Sequence, residues 1–408
     1  MSAGRLSALN TNDARSRNLA TVLELVRESP GRSRSEIGAE MPFSLQTMTN
    51  VTQELIALGL IEEFDRPRVR RKGSPHRGLR VIADGCYAIG VQFRWSSCTL
   101  ALVDMEFRVR DRRTVRIAGE IGDIEAYIGG LTAAIQAMLR DHAGKEIWLV
   151  GLAGPLPILT PNAAQTQPYL DQLWDDQKWF RSFWQAITVD DLASRMEANL
   201  GLPVRIHNNP QAAGITEALG FPLRARILYL LAGLGFGAAM VSHRQPSTDI
   251  WPHSGEIGHV VYRSRTLSSV ISATGVRRAL GLSEPQGTYE AELEALLDIS
   301  PERFDPWLDD AGELLRFVLS FLENALWPDG IALGGFLPDR LLDLLIERLQ
   351  PLEYSVVLPD TSPDRIVPRL YRAQPATEAT ALGAGAAVLS YRSNPDLAAL
   401  LSMRRQRA

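Results

Sequence analysis

Residues 44–58, Ser-Leu-Gln-Thr-Met-Thr-Asn-Val-Thr-Gln-Glu-Leu-Ile-Ala-Leu, can do hydrogen-bonding chemistry along one edge. Leu45, Met48, Val51, Leu55 and Leu58 recur every three or four residues, which predicts a helix with one apolar stripe. Ser44 stands at its start, and the opposite face carries Gln46, Thr47, Thr49, Asn50 and Gln53. Amides and hydroxyls of this size read base edges in a major groove. A face that meets only solvent would be rich in Lys and Glu, and this one has a single Glu54. Shortly after come Arg66, Arg68, Arg70, Arg71, Lys72, Arg77 and Arg80, with no acid between them. Gly73, Pro75 and Gly78 keep that run out of helices. Ser44, Gln46, Thr47, Thr49 and Asn50 are therefore candidates for base contact, and Arg70, Arg71, Lys72 and Arg77 for phosphate contact.

These groups need a rigid support, and the neighbouring sequence supplies one. Arg17–Glu28 reads as a first helix through Leu19, Val22, Leu23 and Val26, stopped by Ser29-Pro30-Gly31. Ser33 to Glu40 reads as a second, with Ser33 as N-cap and Glu36 closing a capping box. Met41-Pro42-Phe43 makes the turn into residues 44–58. Three helices with a tight turn between the second and third form the helix-turn-helix plan. A strand starting at Leu60-Ile61 and the basic run then read as a wing lying along the phosphate backbone.

Composition agrees once it is divided along the chain. Residues 1–80 hold 13 basic and 9 acidic residues, whereas the whole 408-residue chain is at −4. The positive charge is thus concentrated at one end, as suits a DNA-binding head on an acidic body. With 45% apolar and 22% charged residues the chain reads as globular and longer than one domain. No apolar run approaches the roughly 20 residues of a membrane helix, and the first residues show no export signal. Cys86 and Cys98 are too few for a disulfide framework or a cysteine zinc site. The expected compartment is the cytoplasm.

From Val81 the texture becomes alternating strands and helices. Strands are expected at Tyr87–Phe93, Cys98–Val103, Arg108–Ala118 and Glu146–Leu152, with a helix at Ile124–His142. A second series begins at Pro203-Val-Arg-Ile-His and runs through a helix at Gln211–Leu219, strands at Ile227–Ala232 and Ala238–Ser242, and a strand, glycine turn and helix at 330–349. Two related α/β halves predict a two-lobed, actin-like fold. Expected boundaries are 1–80 for the head and 81–408 for the body. Within the body, lobe 1 spans about 81–200 and lobe 2 about 201–390, with a C-terminal helix returning toward lobe 1.

Several pieces stand in a telling order: Tyr87-Ala-Ile-Gly-Val, Gly151-Leu-Ala-Gly-Pro, Pro203-Val-Arg-Ile-His-Asn-Asn, Gly233-Leu-Gly-Phe-Gly-Ala, Gly255-Glu-Ile-Gly-His, Leu333-Gly-Gly and Ala381-Leu-Gly-Ala-Gly-Ala-Ala. With them the chain resembles the ROK family (repressors, open reading frames, kinases), on its winged-helix repressor branch, from about residue 15 to 391. The resemblance implies a winged helix-turn-helix head followed by a sugar-kinase-like body. It also implies that Asn208, Asn209, Glu256 and His259 sit where family members hydrogen-bond a pyranose.

Departures from the family pattern carry as much weight. Family kinases have Asp-x-Gly in the first hairpin, where this chain has Gln92 and Arg94. They have Glu-Asn-Asp after the Pro-Val strand, the Asp serving as base toward the sugar hydroxyl; here the triplet is His207-Asn208-Asn209. Asparagine cannot accept that proton, so no catalytic residue is expected. Family members commonly hold zinc with the His of Gly-Glu-x-Gly-His and three cysteines that follow; no Cys follows His259, so no metal or cofactor is expected. A sugar-contacting Glu of the family falls at Val270. Trp174, Trp179 and Trp184 could offer rings to a sugar face, Trp184 reading rather as core. Arg277-Arg278 and Arg404-Arg405 read as solvated, and Leu314, Val318, Phe321 and Leu322 as a core stripe.

The sequence thus points to a transcriptional regulator, a repressor of carbohydrate uptake or catabolism genes. Its partners would be duplex operator DNA and a small carbohydrate effector, and it would act as a homodimer or homotetramer. The alternatives are an active sugar kinase carrying a DNA-binding head, and a ligand-independent DNA-binding dimer. Neutralising Arg70, Arg71 and Lys72 is expected to weaken binding to all duplexes. It should flatten the plot of log affinity against log salt by about 0.9 for each phosphate that is no longer neutralised. Full affinity at every salt concentration would remove the wing assignment.

Overall fold

The computed structural model describes residues 11–42, 44–66, 77–94, 96–117, 123–156, 178–246, 255–282 and 288–407. The chain begins with helices α1 (Thr11–Glu28), α2 (Arg34–Gly38) and α3 (Leu45–Ala57). Ser33 and Glu36 close the expected capping box, and Ser44 caps α3 by accepting from the Thr47 amide. Strands β1 (Ile61–Asp65) and β2 (Arg77–Val81) then pair antiparallel. Helix α1 is longer than its apolar spacing predicts, because its first residues bring no periodic apolar signal. Leu19, Val22, Leu23, Ile37, Met48, Val51, Leu55, Leu60 and Leu79 bury together as one core. Leu45 departs from its expected place in that stripe: at the first turn of α3 it is 72% exposed.

The body contains two five-stranded sheets. The first has the order β5-β4-β3-β6-β7, from β3 (Tyr87–Phe93), β4 (Ser97–Asp104), β5 (Val109–Arg116), β6 (Ile147–Gly154) and β7 (Val204–Asn208). Helices α4 (Ile124–Asp141), α5 (Lys178–Ala186) and α6 (Val189–Leu200) lie between these strands in sequence, and α4 and α6 pack on one face through Ile128, Leu131, Ile135, Leu192 and Met196. The strand expected to open the second series is therefore β7, and it closes the first sheet instead, parallel to β6. Its glycine-poor, proline-bounded sequence looks like a new start, but its register with Val150–Gly154 is set by burial of Val204 in the first core.

Helix α7 (Asn209–Leu219) leaves β7 directly and leads to the second sheet. That sheet has the order β10-β9-β8-β13-β14, from β8 (Arg226–Ala232), β9 (Phe236–Ser242), β10 (Gln245–Pro246), β13 (Gly330–Gly335) and β14 (Leu370–Arg372). A small hairpin, β11 (Val261–Tyr262) and β12 (Arg265–Thr266), follows the turn at Ile257–His259. Helices α8 (Ala273–Ala279), α9 (Tyr289–Ile299), α10 (Asp305–Leu326) and α11 (Asp339–Arg348) enclose the second apolar core. Phe321 departs from the expected stripe of α10: Leu314, Val318 and Leu322 are buried and Phe321 is 61% exposed. Arg277 is likewise buried against Glu292 rather than solvated, while Arg278 is exposed.

Two elements bind these parts into one body. Helix α12 (Ala376–Leu389) packs on α7 and across β3, β4 and β6. Its Ala and Gly residues let backbone meet backbone: a Cβ on Gly90 would lie 1.9 Å from the Ala381 carbonyl, and one on Gly151 2.1 Å from that of Ala384. Helix α13 (Leu397–Arg407) then packs on α1 of the head through Leu397, Ala398 and Leu401. Between them, residues 390–392 grip α1. The buried Glu24 carboxylate accepts from the Tyr391 amide at 3.0 Å and the Ser390 hydroxyl at 3.2 Å, and Arg392 pairs with Glu28. Arg27, also buried, binds Glu24 at 2.8 Å and the Met105 carbonyl at 2.9 Å on the β4–β5 turn.

Gly90→Ala is expected to cost about 1–3 kcal/mol or more, since neither backbone can yield to the added methyl. Urea unfolding should show a lowered midpoint; an unchanged midpoint would mean that α12 lies further from the sheet than described.

Candidate functional site

Two surfaces gather the residues singled out by the sequence. In the head, Gln46, Asn50 and Gln53 are exposed along α3, and Thr47 and Thr49 are half-buried. Gln46 donates to the Asn50 carbonyl oxygen at 3.0 Å, so the two amides form one preset hydrogen-bonding unit. Ser44 is engaged in the cap, its hydroxyl 2.9 Å from that of Thr47. Leu45 stands beside them, a group that residue spacing had assigned to the core. Its place at the first turn, before the stripe closes on the body of the head, is the signal that could have found it.

Arg70, Arg71 and Lys72 lie outside the described residues. The arginines at the base of the hairpin are not free cations. Arg66 pairs with Glu36 at 2.8 Å, Arg77 with Glu63 at 3.3 Å and Arg80 with Glu62 at 2.7 Å. The acids come from α2 and from β1, opposite in the hairpin register, so a run that looks unopposed in sequence is opposed in space. The Ser33 amide, followed by Arg66, holds the Glu36 carboxyl down to about 2.

In the body, one end of β9 organises the second surface. Pro210 at the start of α7 packs over Gly237, 3.7 Å from where its Cβ would be. The next amide, Ala238, donates to the Gly255 carbonyl at 2.8 Å. Asn208 and Asn209 on one side, and Glu256 and His259 on the other, therefore converge on the first residues of β9. Gly255 has φ +103, and a Cβ there would meet the Ala238 carbonyl at 2.0 Å, so only glycine can lay the 255–259 turn on the strand. Asn208 spends its carbonyl oxygen on the Asn209 amide as N-cap of α7. Asn209 is 6% exposed, and its own carbonyl oxygen finds no partner. Glu256 and His259 are partly exposed and 3.8 Å apart, too far for a hydrogen bond. Burial raises the Glu256 carboxyl and lowers the His259 imidazole, so both are pushed toward their neutral forms.

The first sheet contributes the remaining wall. Gln92 is fully buried at the end of β3. Arg94, just beyond it, crosses to the second half of the body. It pairs with Glu290, lies 3.5 Å from the Tyr289 hydroxyl, and stacks 4.8 Å over the Phe336 ring. Sequence spacing could not join residues almost 200 apart. Val270 is buried in the second core, with its carbonyl accepting from Trp307. Trp184 is half-buried and donates to the Pro155 carbonyl at 3.0 Å; Trp174 and the side chain of Trp179 lie outside the described residues. Among the described residues no group of three or more His, Cys, Asp or Glu could hold a metal. Cys86 and Cys98 are buried in the first half of the body, away from His259, so the residues present do not fit a family-type zinc site. No helix among the described residues is long and apolar enough to cross a membrane.

Comparison with solved structures decides the architecture. A ROK family transcriptional regulator, a homologue of the E. coli MLC protein, superposes with a TM-score of 0.69 over 97% of this chain and 100% of its own, at 17% identity. The chain has the ROK fold. A ROK hexokinase from Thermus thermophilus matches 75% of it with a TM-score of 0.52 at 19% identity. A ROK family glucokinase from Streptomyces griseus, solved with glucose and AMPPNP, matches 74% with a TM-score of 0.53 at 15% identity. The regulator's match thus spans nearly the whole chain, and each of these kinase matches about three quarters of it. No family model matches the sequence. An uncharacterized protein of Sinorhizobium fredii, y4fQ, is 24% identical over 355 residues, covering 82% of this chain and 83% of its own.

Gln46→Ala and Asn50→Ala are each expected to reduce discrimination between a selected duplex and random DNA by about 1–3 kcal/mol, with nonspecific affinity little changed. Competition binding against random DNA measures this. An equal loss on both kinds of DNA would remove these amides from base reading.

Proposed function

We propose that the chain is a DNA-binding transcriptional regulator, a repressor of carbohydrate uptake or catabolism genes, acting in the cytoplasm. Its ROK-type body senses a carbohydrate and does not phosphorylate it. One observation carries this reading. A helix-turn-helix with an uncharged outer face precedes a ROK-fold body whose cleft has Gln92, Arg94 and Asn209 at positions matched to the kinase carboxylates and glycine. Phosphoryl transfer is mostly positioning and charge stabilisation around phosphate and metal. An amide at 209 cannot take the hydroxyl proton, and an arginine tied to Glu290 crosses the phosphate side.

In this reading the protein binds a pseudo-palindromic operator as a homodimer or homotetramer, with two recognition helices about 34 Å apart. Asn208, Asn209, Glu256 and His259 bind the effector. Helix α12 spans the body from that cleft to residues 390–392, which hold α1 of the head. A change in the angle between the halves therefore has a mechanical path to the recognition helices. The sugar-kinase reading is favoured by the hexokinase and glucokinase neighbours and opposed by the three cleft residues.

Incubated with ATP, magnesium and a panel of hexoses, the full chain is expected to release no sugar-dependent ADP. Asn209→Asp alone should not create turnover, because Gln92 and Arg94 remain. Turnover in the parent that Asn209→Ala abolishes would establish the kinase reading instead. In operator-binding assays with the same sugars, Glu256→Gln is expected to remove the sugar's effect on DNA affinity. A variant responding like the parent would leave a ligand-independent DNA-binding dimer.

A further inference from the structure

We propose that the head reads an adenine–thymine pair in each half-site, with Gln46 and Asn50 on the adenine edge and Leu45 against the methyl group of a thymine. This rests on the DNA-binding role proposed above and adds to it a base preference and a new contact residue, Leu45.

The first turns of α3 leave few groups available to a duplex. Ser44 accepts from the Thr47 amide, and the two hydroxyls lie 2.9 Å apart. Thr49 donates its hydroxyl proton to the Leu45 carbonyl at 2.9 Å. Met48, Val51 and Leu55 are buried beneath. The helix has no Lys or Arg, and its one acid, Glu54, is largely covered and pairs with Arg15 of α1 at 3.0 Å. Beyond the capping Ser44, the exposed side chains over 44–50 are Leu45, Gln46 and Asn50. An exposed leucine by itself is ordinary on a protein surface. Leu45, 72% exposed, stands next in sequence to a preset amide pair on a face without free charge.

Hydrogen bonding between the amides fixes what they can recognise. Gln46 donates one N–H to the Asn50 carbonyl at 3.0 Å. A side-chain amide has one carbonyl and two N–H groups. Gln46 therefore keeps its carbonyl and one N–H, and Asn50 keeps two N–H. The opposite direction of the bond would leave the same set, exchanged between the two residues. A carbonyl and an N–H on one amide match adenine, which offers N7 as acceptor and N6–H as donor. Guanine presents N7 and O6, both acceptors, and would set that carbonyl against one of them.

Adenine brings thymine with it. The Asn50 N–H groups can donate to thymine O4, and the thymine C5 methyl is the apolar group that the bases present in the major groove. Leu45 precedes Gln46 by one position. A groove that receives Gln46 therefore also receives Leu45, against the thymine of the same pair or of the next. Neither a hydroxyl nor a charged side chain could use that methyl, whereas a leucine already exposed to water gains by covering it.

Duplexes selected from a random library by the full chain test this, with thymines exchanged one at a time for deoxyuridine, which lacks only the methyl. The selected half-sites are expected to share an A·T pair. Deoxyuridine at its thymine, or at the adjoining one, should weaken binding by the parent protein about fourfold, the worth of one buried methyl. Leu45→Ala should bind the thymine duplex at least about fourfold more weakly and no longer distinguish thymine from deoxyuridine. Its affinity for random DNA and its melting temperature should be those of the parent. If no deoxyuridine exchange matters, if Leu45→Ala still senses the methyl, or if it loses equally on random DNA, the Leu45 contact is overturned and DNA binding stands. Half-sites that share G·C pairs and no A·T pair overturn the adenine assignment in the same way. Failure to enrich any duplex overturns this proposal and the DNA-binding role together.

Discussion

The structure depends on one close contact, that of helix α12 with the first sheet. Gly90 and Gly151 remove the side chains from β3 and β6, and Ala381 and Ala384 nearly remove them from the helix. The layers meet at backbone distance, where each carbonyl of the helix lies against a strand without an intervening methyl. Dense contact of this kind resists gradual deformation and favours movement of whole units. Because α12 also packs on α7, the junction that carries Asn208 and Asn209 shares this support. The cleft, the helix and the segment gripping the head are thus three stations along one rigid element.

At the far end of that element the coupling changes character, from packing to charge. Glu24 and Arg27 are buried in the head–body contact, where removing either partner strands the other's charge. Arg244, at the turn between β9 and β10, lies close enough to Glu24 and Glu28 to feel their charges, and its Nε has no hydrogen-bond partner. Lobe 1 contributes Met105, the second sheet contributes Arg244, and the C-terminal segment contributes Ser390 to Arg392. Helix α1 therefore rests on all three at once. Buried charge is a poor source of net stability but strict about geometry, which suits a joint that must hold one orientation.

How much of this was legible in the sequence follows from the range over which each signal acts. Local signals served well. Ser33 with Glu36 marked a helix start, and short apolar runs marked β3, β4, β8 and β13. Signals that depend on pairing across the fold stayed hidden. β7 reads as a beginning and is an end, because the strand it joins lies 50 residues upstream. The arginines of the hairpin read as an unopposed charge run until the register sets Glu62 and Glu63 beside them. Leu45 and Phe321 fit a helical period whose neighbours turn inward while they do not. Arg94 showed only that a glycine position was filled. That it reaches Glu290 is a property of the two halves together.

The grip of residues 390–392 on α1 also bears on how such a chain is made and how it can be recombined. The head is synthesised first, yet part of the surface that holds it comes from the other end of the chain. At about 5–20 residues per second, roughly 15–70 s separate the two on the ribosome. During that interval the nascent head has its own three-helix core but lacks the C-terminal part of its seat. Inheritance is constrained in the same way. A head exchanged between two chains of this fold arrives without the tail that fits its first helix, so the two termini form one heritable unit although the whole body lies between them.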